Sequence, residues 1–377
     1  MEIITPTPGI SVRNCLTHRG IPSEYFQDSY NALCCPLTPE YGLMNTVDGN
    51  HLIAADVLNG IGAFDSTTGW TTIGAGWTIA GGVADFNAAG STNLISSSRL
   101  ISGVTYEITF TVLNYVSGYV RCSAHTTLGT LRSANGTYTE RLVSNGTSII
   151  IGAFASTDLQ IDNVTYREVY DGNISSEGAY FNGVSNCLQS TRTVDLSGTN
   201  KVSVYANIKV NDYNLSGFEI LYEFSPIAPS NQGSFFLATE GATAGDPMRW
   251  SIYGNVGDNG ARYLLSKTNL ADGNFHSLVC RGDFSVAASA TLREGTIIKN
   301  GQFLPFDSAT SSNNNTGNFG NHNLYIGGRA GISLFSNIYM NRLLIRSTVD
   351  SPETIADYYA WQNDIRNPHF FSLYGEE

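Results

Sequence analysis

Apolar and polar residues alternate most regularly between Asp272 and Ser347. Each apolar run has a period of two and is closed by Gly, Asn or Asp, which is typical of successive antiparallel strands. Within this stretch, Ile297–Lys299 leads into Asn300-Gly301, and Gln302–Leu304 leads out. Because Asn-Gly tolerates the positive φ angles of a type I′ turn, the pattern predicts a β-hairpin here.

A second alternating region lies between residues 56 and 169. It contains about eight short apolar runs separated by turn residues, a number and spacing that suit a jelly roll. The polar segment Tyr170–Gly178 then reads as a linker to the C-terminal region.

Residues 1–55 show no lasting periodicity and contain prolines at positions 6, 8, 22, 36 and 39. Proline removes backbone donors and restricts its predecessor, so we expect an extended, irregular segment. Its many large apolar side chains favour an arm that lies along a partner, and a disordered tail is the alternative.

Ser351, Pro352 and Glu353 form a helix-start signal after the last predicted strand. The predicted fold class is therefore all-β, with two antiparallel β-sandwich (jelly-roll) domains, an extended N-terminal arm and a short C-terminal helix. The predicted boundaries are 1–55 for the arm, 56–170 for the first domain and 171–377 for the second.

The C-terminal region resembles the laminin-G-like, concanavalin A-like lectin/glucanase family. The resemblance is carried by Phe275-His276, the strand ending at Asn300-Gly301, Leu324–Gly327 and Phe335–Ile338. It implies a sandwich fold and specifies function poorly, because one fold hosts many unrelated sites.

The first β region resembles the carbohydrate-binding-module-like jelly rolls common in tailed-phage structural proteins. The matching motifs are Phe64 through Trp70, Trp77–Ala84, Tyr106–Phe110 and Ile161–Val164. Many relatives hold a structural calcium ion near their first motif. Gly62-Ala63-Phe64 replaces the usual Asn-Gly-Asp-Phe there, so no metal is predicted.

Charge and composition narrow the possible partners. The net charge is −12 and lysine occurs only at positions 201, 209, 267 and 299, which disfavours nucleic acid. No apolar stretch approaches the ~20 residues of a membrane span, and no signal-peptide pattern opens the chain. We therefore expect no membrane insertion, and release by lysis as part of a virion.

No catalytic constellation is predicted. Glu219 and Glu223 are the nearest approach to the paired acids of glucanases, and a spacing of four places them on one strand face about 13 Å apart, too far for hydrolysis. His276 is interpreted as structural, and the other histidines lack metal-ligand spacing. We expect no enzyme activity and no cofactor.

Aromatic side chains could stack on sugars. Trp250 alternates with Met248 and Ile252 and is predicted to lie in the core. Arg249, Tyr253 and Tyr263 fall on the other face or beside a turn, and they are the surface candidates for glycan binding.

The cysteines form two groups. Cys122, Cys187 and Cys280 sit singly inside strand patterns, as buried small hydrophobic residues do. Cys15, Cys34 and Cys35 lie in the predicted arm, where an odd cysteine favours disulfides between chains; reduced thiols are the alternative.

Together these features predict a non-enzymatic structural or accessory protein on the surface of a tailed phage. Its N-terminal arm would attach it to other virion proteins on the tail, neck or capsid, and we expect a homo-oligomer. The alternative is a receptor adhesin that binds a host surface glycan, and a glycan-processing enzyme is the third hypothesis.

Overall fold

The computed structural model describes residues 31–35, 52–169, 174–175, 177–212, 217–226, 232–240, 248–255, 262–266, 268–286, 297–304, 308–311, 317–330 and 332–362. These residues form an all-β protein with antiparallel sheets, which confirms the predicted class. Cys15 and the aromatic C-terminal tail lie outside the described residues.

The first unit has one sheet, called sheet I. Its strands are β3 (Thr72–Ile73), β4 (Trp77–Ala80), β5 (Val83–Ala88), β6 (Thr92–Ser96), β7 (Thr105–Ala124), β8 (Thr127–Leu128), β9 (Gly136–Val143) and β10 (Ile149–Glu168). A short 3-10 turn, Ile61–Ala63, precedes them. Sheet I surrounds a core that includes Phe64, Phe86, Phe110 and Tyr166.

Two strands of sheet I are longer than the sequence pattern indicates. β7 and β10 each span 20 residues and pair along most of their length. The sequence around Ala155 looks like a turn between two short strands. Instead, the ladder continues through a register shift between Phe154 and Asp158, with Ala155 at φ 66°. A bulge of this kind bends a strand without ending it.

The second unit has two sheets. Sheet II contains β11 (Ile174–Ser175), β12 (Gly178–Asn182), β25 (Asn337–Arg346), β15 (Lys201–Val210), β20 (His276–Asp283), β21 (Ile297–Lys299) and β22 (Gln302–Phe303), and β1 (Asn31–Cys35) pairs with β25. The strands of sheet III are β2 (Leu52–Ala54), β13 (Leu188–Ser190), β24 (Asn321–Ile326), β16 (Phe218–Ser225), β17 (Phe235–Glu240), β18 (Met248–Ile252), β19 (Arg262–Ser266), β23 (Ser308–Ser311) and β14 (Val194–Asp195).

A large apolar core contains the inward-facing residues of both sheet II and sheet III. Strand β15 contributes Val202, Val204 and Ile208, and strand β18 contributes Trp250. Trp250 is fully buried, as predicted, and its indole Nε1 donates to the carbonyl of Arg281 at 2.9 Å. The alternation of core and outer residues along each strand therefore fixes which side chains can form a site on the outer faces.

The predicted hairpin and the predicted helix are both present. Asn300 and Gly301 have φ angles of 51° and 77° and connect β21 to β22. The helix α1 covers Pro352–Gln362, and the hydroxyl of Ser351 accepts a hydrogen bond from the Thr354 amide at 3.2 Å. This helix packs on the outer face of sheet II, where the ring of Tyr358 lies 4.7 Å from that of Tyr205.

Two strands come from the segment that we predicted to be an extended arm. β1 pairs with β25 in the register Cys34↔Leu344, and β2 pairs with β13 in the register Leu188↔Ala54. The strands of the second unit therefore come from two parts of the sequence, one that precedes the first unit and one that follows it. The first unit is an insertion, tethered at both of its ends.

Candidate functional site

Two of the three predicted glycan-binding residues lie together on the outer face of sheet III. Arg249 is followed by the inward-facing Trp250, and Tyr253 follows the inward-facing Ile252. Tyr263 occupies the next strand, β19, directly opposite Ser251. The described residues do not include the side chain of Tyr263.

The expected surface position of Tyr253 is wrong, because only 8% of this residue is exposed. Its ring lies 6.2 Å from that of Phe236, in a small apolar cluster with Ile220 and Ala238. Leu334, from the segment before β25, packs against the same cluster. Alternation identified the correct face of the strand, but it could not show that a distant segment covers that face.

Two arginines lie against the aromatic rings of this face. The guanidinium of Arg249 lies 5.1 Å from the ring centre of Phe218 and 5.9 Å from that of Phe236. Arg329 lies 5.2 Å from the same Phe236 ring. Phe236 thus contacts two cations, and each such contact is worth about 0.5–2 kcal/mol.

Glu223 completes what we call the arginine–aromatic cluster, which comprises Phe218, Glu223, Phe236, Arg249, Tyr253 and Arg329. Nε of Arg329 donates to Oε1 of Glu223 at 3.1 Å, and the glutamate side chain is 3% exposed. Burial raises the pKa of Glu223, and the Arg329 charge opposes that rise. Burial likewise raises the pKa of Tyr253. These charged groups contact one another and the rings, so the cluster offers no open aromatic platform for a sugar.

Glu219 and Glu223 do not share a face, contrary to the sequence prediction. The register of β16 shifts between Ile220 and Tyr222. Glu219 accepts a hydrogen bond from Thr239 in the buried layer, whereas Glu223 lies opposite Phe236 on the outer face. A one-residue bulge reverses the alternation, and it separates the two acids across the sheet.

Asp56 is a buried carboxylate that lies where the two units meet, a region that we call the joint. Oδ1 of Asp56 accepts hydrogen bonds from the backbone amides of Tyr166 at 2.9 Å and Leu58 at 3.2 Å. Its own amide donates to Oε1 of Gln189 in the second unit. Burial raises the pKa of Asp56, and the charge of Arg167 opposes that rise.

Other polar contacts cross the joint. Arg167 donates to the carbonyl of Ala54 at 2.7 Å, and the hydroxyl of Tyr325 donates to Asn59 at 3.3 Å. Oε1 of Glu168 accepts from Ser185 at 2.8 Å and from Asn186 at 2.9 Å. The sequence pattern did not indicate these contacts, because local periodicity does not pair residues of different elements, and several of the pairs are more than a hundred residues apart.

A cavity of about 50 Å³ lies beside the joint. Its lining combines Arg99, Tyr106 and Glu168 of the first unit with Ser185 and Phe335 of the second. Arg99 also donates to the hydroxyl of Ser96 at 3.2 Å. The volume suits one or two water molecules and no larger ligand.

One of the two predicted cysteine groups is confirmed. Cys122, Cys187 and Cys280 are buried free thiols, and burial raises the pKa of Cys280 to about 12. The backbone of Cys34 and Cys35 lies in β1, and the bonding state of their side chains is not described. Cys15 lies outside the described residues.

The described part of the chain lacks metal-ligand clusters and membrane-spanning helices. It contains no group of three His, Cys, Asp or Glu side chains arranged around a common point. His276 is buried, and its Nε2 lies 2.9 Å from Oδ1 of Asp272. None of the described helices has the length and hydrophobicity of a membrane span.

Comparisons with known proteins give only distant likenesses. No protein-family model matches the chain, and no curated protein matches it. The similarity to the botulinum neurotoxin serotype G binding domain covers 49% of this chain and 42% of the chain of that domain, with 11% sequence identity and a TM-score of 0.36. The similarity to Trypanosoma rangeli sialidase covers 52% of this chain and 29% of the sialidase chain, with 15% sequence identity and a TM-score of 0.36.

The chain thus spans less than half the length of either of these solved structures. At such identities and TM-scores, the likeness identifies neither a fold family nor an activity for this protein.

Proposed function

We propose that this chain is a non-enzymatic structural protein on the surface of an extracellular particle of the tailed-phage type. In this proposal the second unit is a laminin-G-like sandwich, the first is a jelly roll, and the two act as one rigid body. The segment before β1 attaches them to other virion proteins.

One observation carries the proposal: the first unit is inserted between β2 and β11 of the second unit. A domain with two tethers and a hydrogen-bonded joint resists the relative motion expected of units joined by a single linker. Such a body transmits force between an attachment segment and an exposed surface. The low charged fraction, 14% of residues, also suits contact with neighbouring subunits.

Immunogold microscopy of particles released by lysis of the source cells tests this role. With antibodies raised against the full chain, we expect gold on the tail, neck or capsid surface. Detection of the protein only in the soluble fraction, with unlabelled particles, contradicts the proposal.

The proposal includes disulfides between chains through Cys15, Cys34 and Cys35. Non-reducing gels of thiol-blocked particles should then show oligomeric bands that disappear after substitution of these three residues by serine. Monomeric migration of the unsubstituted protein contradicts this part of the proposal.

A glycan-binding adhesin is the second candidate; the rings of the arginine–aromatic cluster are covered, and only its exposed arginine edge favours this candidate. Arg329 remains 31% exposed beside Phe236, so the rim of the cluster can contact a ligand. Saturable binding of the full chain on a bacterial glycan array, lost in Arg249→Gln, would support this candidate. The full chain is required, because a fragment that starts at Gly178 lacks β1 and β2.

A further inference from the structure

We infer that the outer face of sheet I carries a binding site for a carboxylate-bearing sugar, formed by Tyr119, Arg121 and Asn93. This site lies on the first unit, away from the residues that the sequence pattern suggested. It adds a ligand to the proposed structural role and does not depend on that role.

The register of three strands brings the site together. Arg121 of β7 and Asn93 of β6 lie on either side of Gly152 of β10. Two residues further along β10, Phe154 is the register partner of Tyr119 of β7. The alternating neighbours Leu94, Val120, Cys122, Ile151 and Ala153 are fully buried in the core of the first unit. The site residues therefore share the outer face.

Gly152 and Phe154 hold the arginine in place. A Cβ atom at position 152 would lie 2.7 Å from Cζ of Phe154 and 3.0 Å from Oδ1 of Asn93. Only glycine leaves room for that ring to lie along the strand. The guanidinium of Arg121 lies 4.6 Å from the ring centre of Phe154, and stacking of this kind orients its planar donors before a ligand arrives.

Arg121 is the charged group of the site. In the part of the chain that the structure describes, its guanidinium contacts the Phe154 ring and forms no ion pair or hydrogen bond. The described surface arginines nearby differ, since Arg132 and Arg141 pair with Glu140 and Glu107. A planar guanidinium with open donors matches a carboxylate, which it binds through two parallel hydrogen bonds.

Tyr119 supplies a flat surface beside this cation. It is 47% exposed, and its backbone pairs with that of Phe154 on the same outer face, one row along from Arg121. An exposed ring of this kind packs against the C–H face of a pyranose. Asn93 is also exposed and presents an amide that can both donate to and accept from hydroxyl groups. Together the three side chains match an acidic sugar ring.

The position in the sheet favours a sugar over an acidic peptide. At this site β10 is hydrogen-bonded on one side to β6 and on the other to β7. No free backbone edge remains on β10 to which a peptide could add as another strand. Recognition must come from side chains on a flat face, which suits a ring with one carboxylate.

Isothermal titration of the full chain with oligogalacturonate, and with its methyl-esterified form, tests the inference. We expect saturable binding of the acid, at least tenfold weaker binding of the ester, and weakening of the acid complex by salt. Arg121→Gln and Tyr119→Ala should each weaken acid binding at least tenfold. Tyr119→Phe should retain it, and Arg141→Gln, the matched exposed-arginine control, should change it less than twofold.

Gly152→Ala tests the support of the arginine, and we expect it to weaken binding with little change in melting temperature. The inference is overturned by absence of saturable binding, by equal binding of acid and ester, or by binding unaffected by Arg121→Gln. Equally tight competition by a poly-glutamate peptide also overturns it. A negative result in these binding experiments would not bear on the proposed structural role, because immunogold labelling of particles does not depend on this face of sheet I.

Discussion

Asp56 shows how one buried carboxylate can organise the contact between two units. A single oxygen accepts two backbone amides, and burial raises the pKa of the group. Folded protein therefore retains the proton at pH values where the unfolded chain, with a pKa near 3.8, has lost it. The group contributes stability at low pH, and that stability is lost as the pH rises through its folded-state pKa.

The first prediction compares Asp56→Asn with the native chain. The asparagine Oδ1 can accept hydrogen bonds from the same two amides, and the amide side chain does not titrate. The free energy of unfolding of Asp56→Asn should therefore fall less steeply with pH above about 4 than that of the native chain. Asp56→Ala leaves both amides without an acceptor and should cost about 2–4 kcal/mol at pH 4, and less at higher pH, where the native chain has lost the stability of the protonated carboxyl. Urea unfolding from pH 4 to 8 measures both effects.

Glu223 titrates in all of these proteins, so its contribution cancels when the curves are subtracted. Parallel pH dependences for Asp56→Asn and the native chain would show that Asp56 does not titrate in this range.

Arg329 and Glu223 permit a second test. Arg329→Ala leaves a buried carboxylate without its ion partner, and we expect a loss of about 2–3 kcal/mol at pH 7. Arg329→Ala combined with Glu223→Gln should lose less than Arg329→Ala alone, because the uncompensated charge is gone. The exposed pair offers a control, since Arg141→Ala should cost about 0.5 kcal/mol. A double variant less stable than Arg329→Ala would contradict an ion pair between these residues.

At the scale of elements, period-two alternation predicted most strands, because one face of each sheet packs on a core. The Asn300-Gly301 hairpin and the helix after Ser351 were also predictable, since local turn and capping chemistry determines both. Three features were not: the continuation of β10 past Ala155, the bulge in β16, and the burial of Tyr253. Each depends on a partner strand or covering segment that is distant in sequence.

The third prediction concerns β1 and β2, and chains that begin at residues 31, 36 and 57 separate their contributions. The chain from Asn31 retains both strands and is the control. The chain from Pro36 exposes the edge of β25 and should lose about 1–3 kcal/mol of unfolding free energy. The chain from Val57 also loses β2 and Asp56, and it should be the least stable.

Urea unfolding of the three truncated chains measures this order. Equal stability of the chains from Asn31 and Val57 would mean that the N-terminal strands do not complete the sheets of the second unit.

At the scale of the whole molecule, the central claim is that two cores behave as one body. The first core lies within sheet I, and the second contains the inner faces of sheets II and III. A third, smaller cluster contains Ala55, Cys187, Tyr325 and Ala330. Ile332 packs against both this cluster and the first core. Insertion removes the freedom that a single linker would leave.

Differential scanning calorimetry of the full chain and of Val112→Ala tests this claim most directly. Val112 lies entirely within the first core, and its truncation should cost about 2–3 kcal/mol there. If the units unfold together, the native chain gives one transition whose calorimetric and van't Hoff enthalpies agree, and the variant shifts that whole transition downward. Two transitions, of which Val112→Ala moves only one, would contradict the account of a single rigid body.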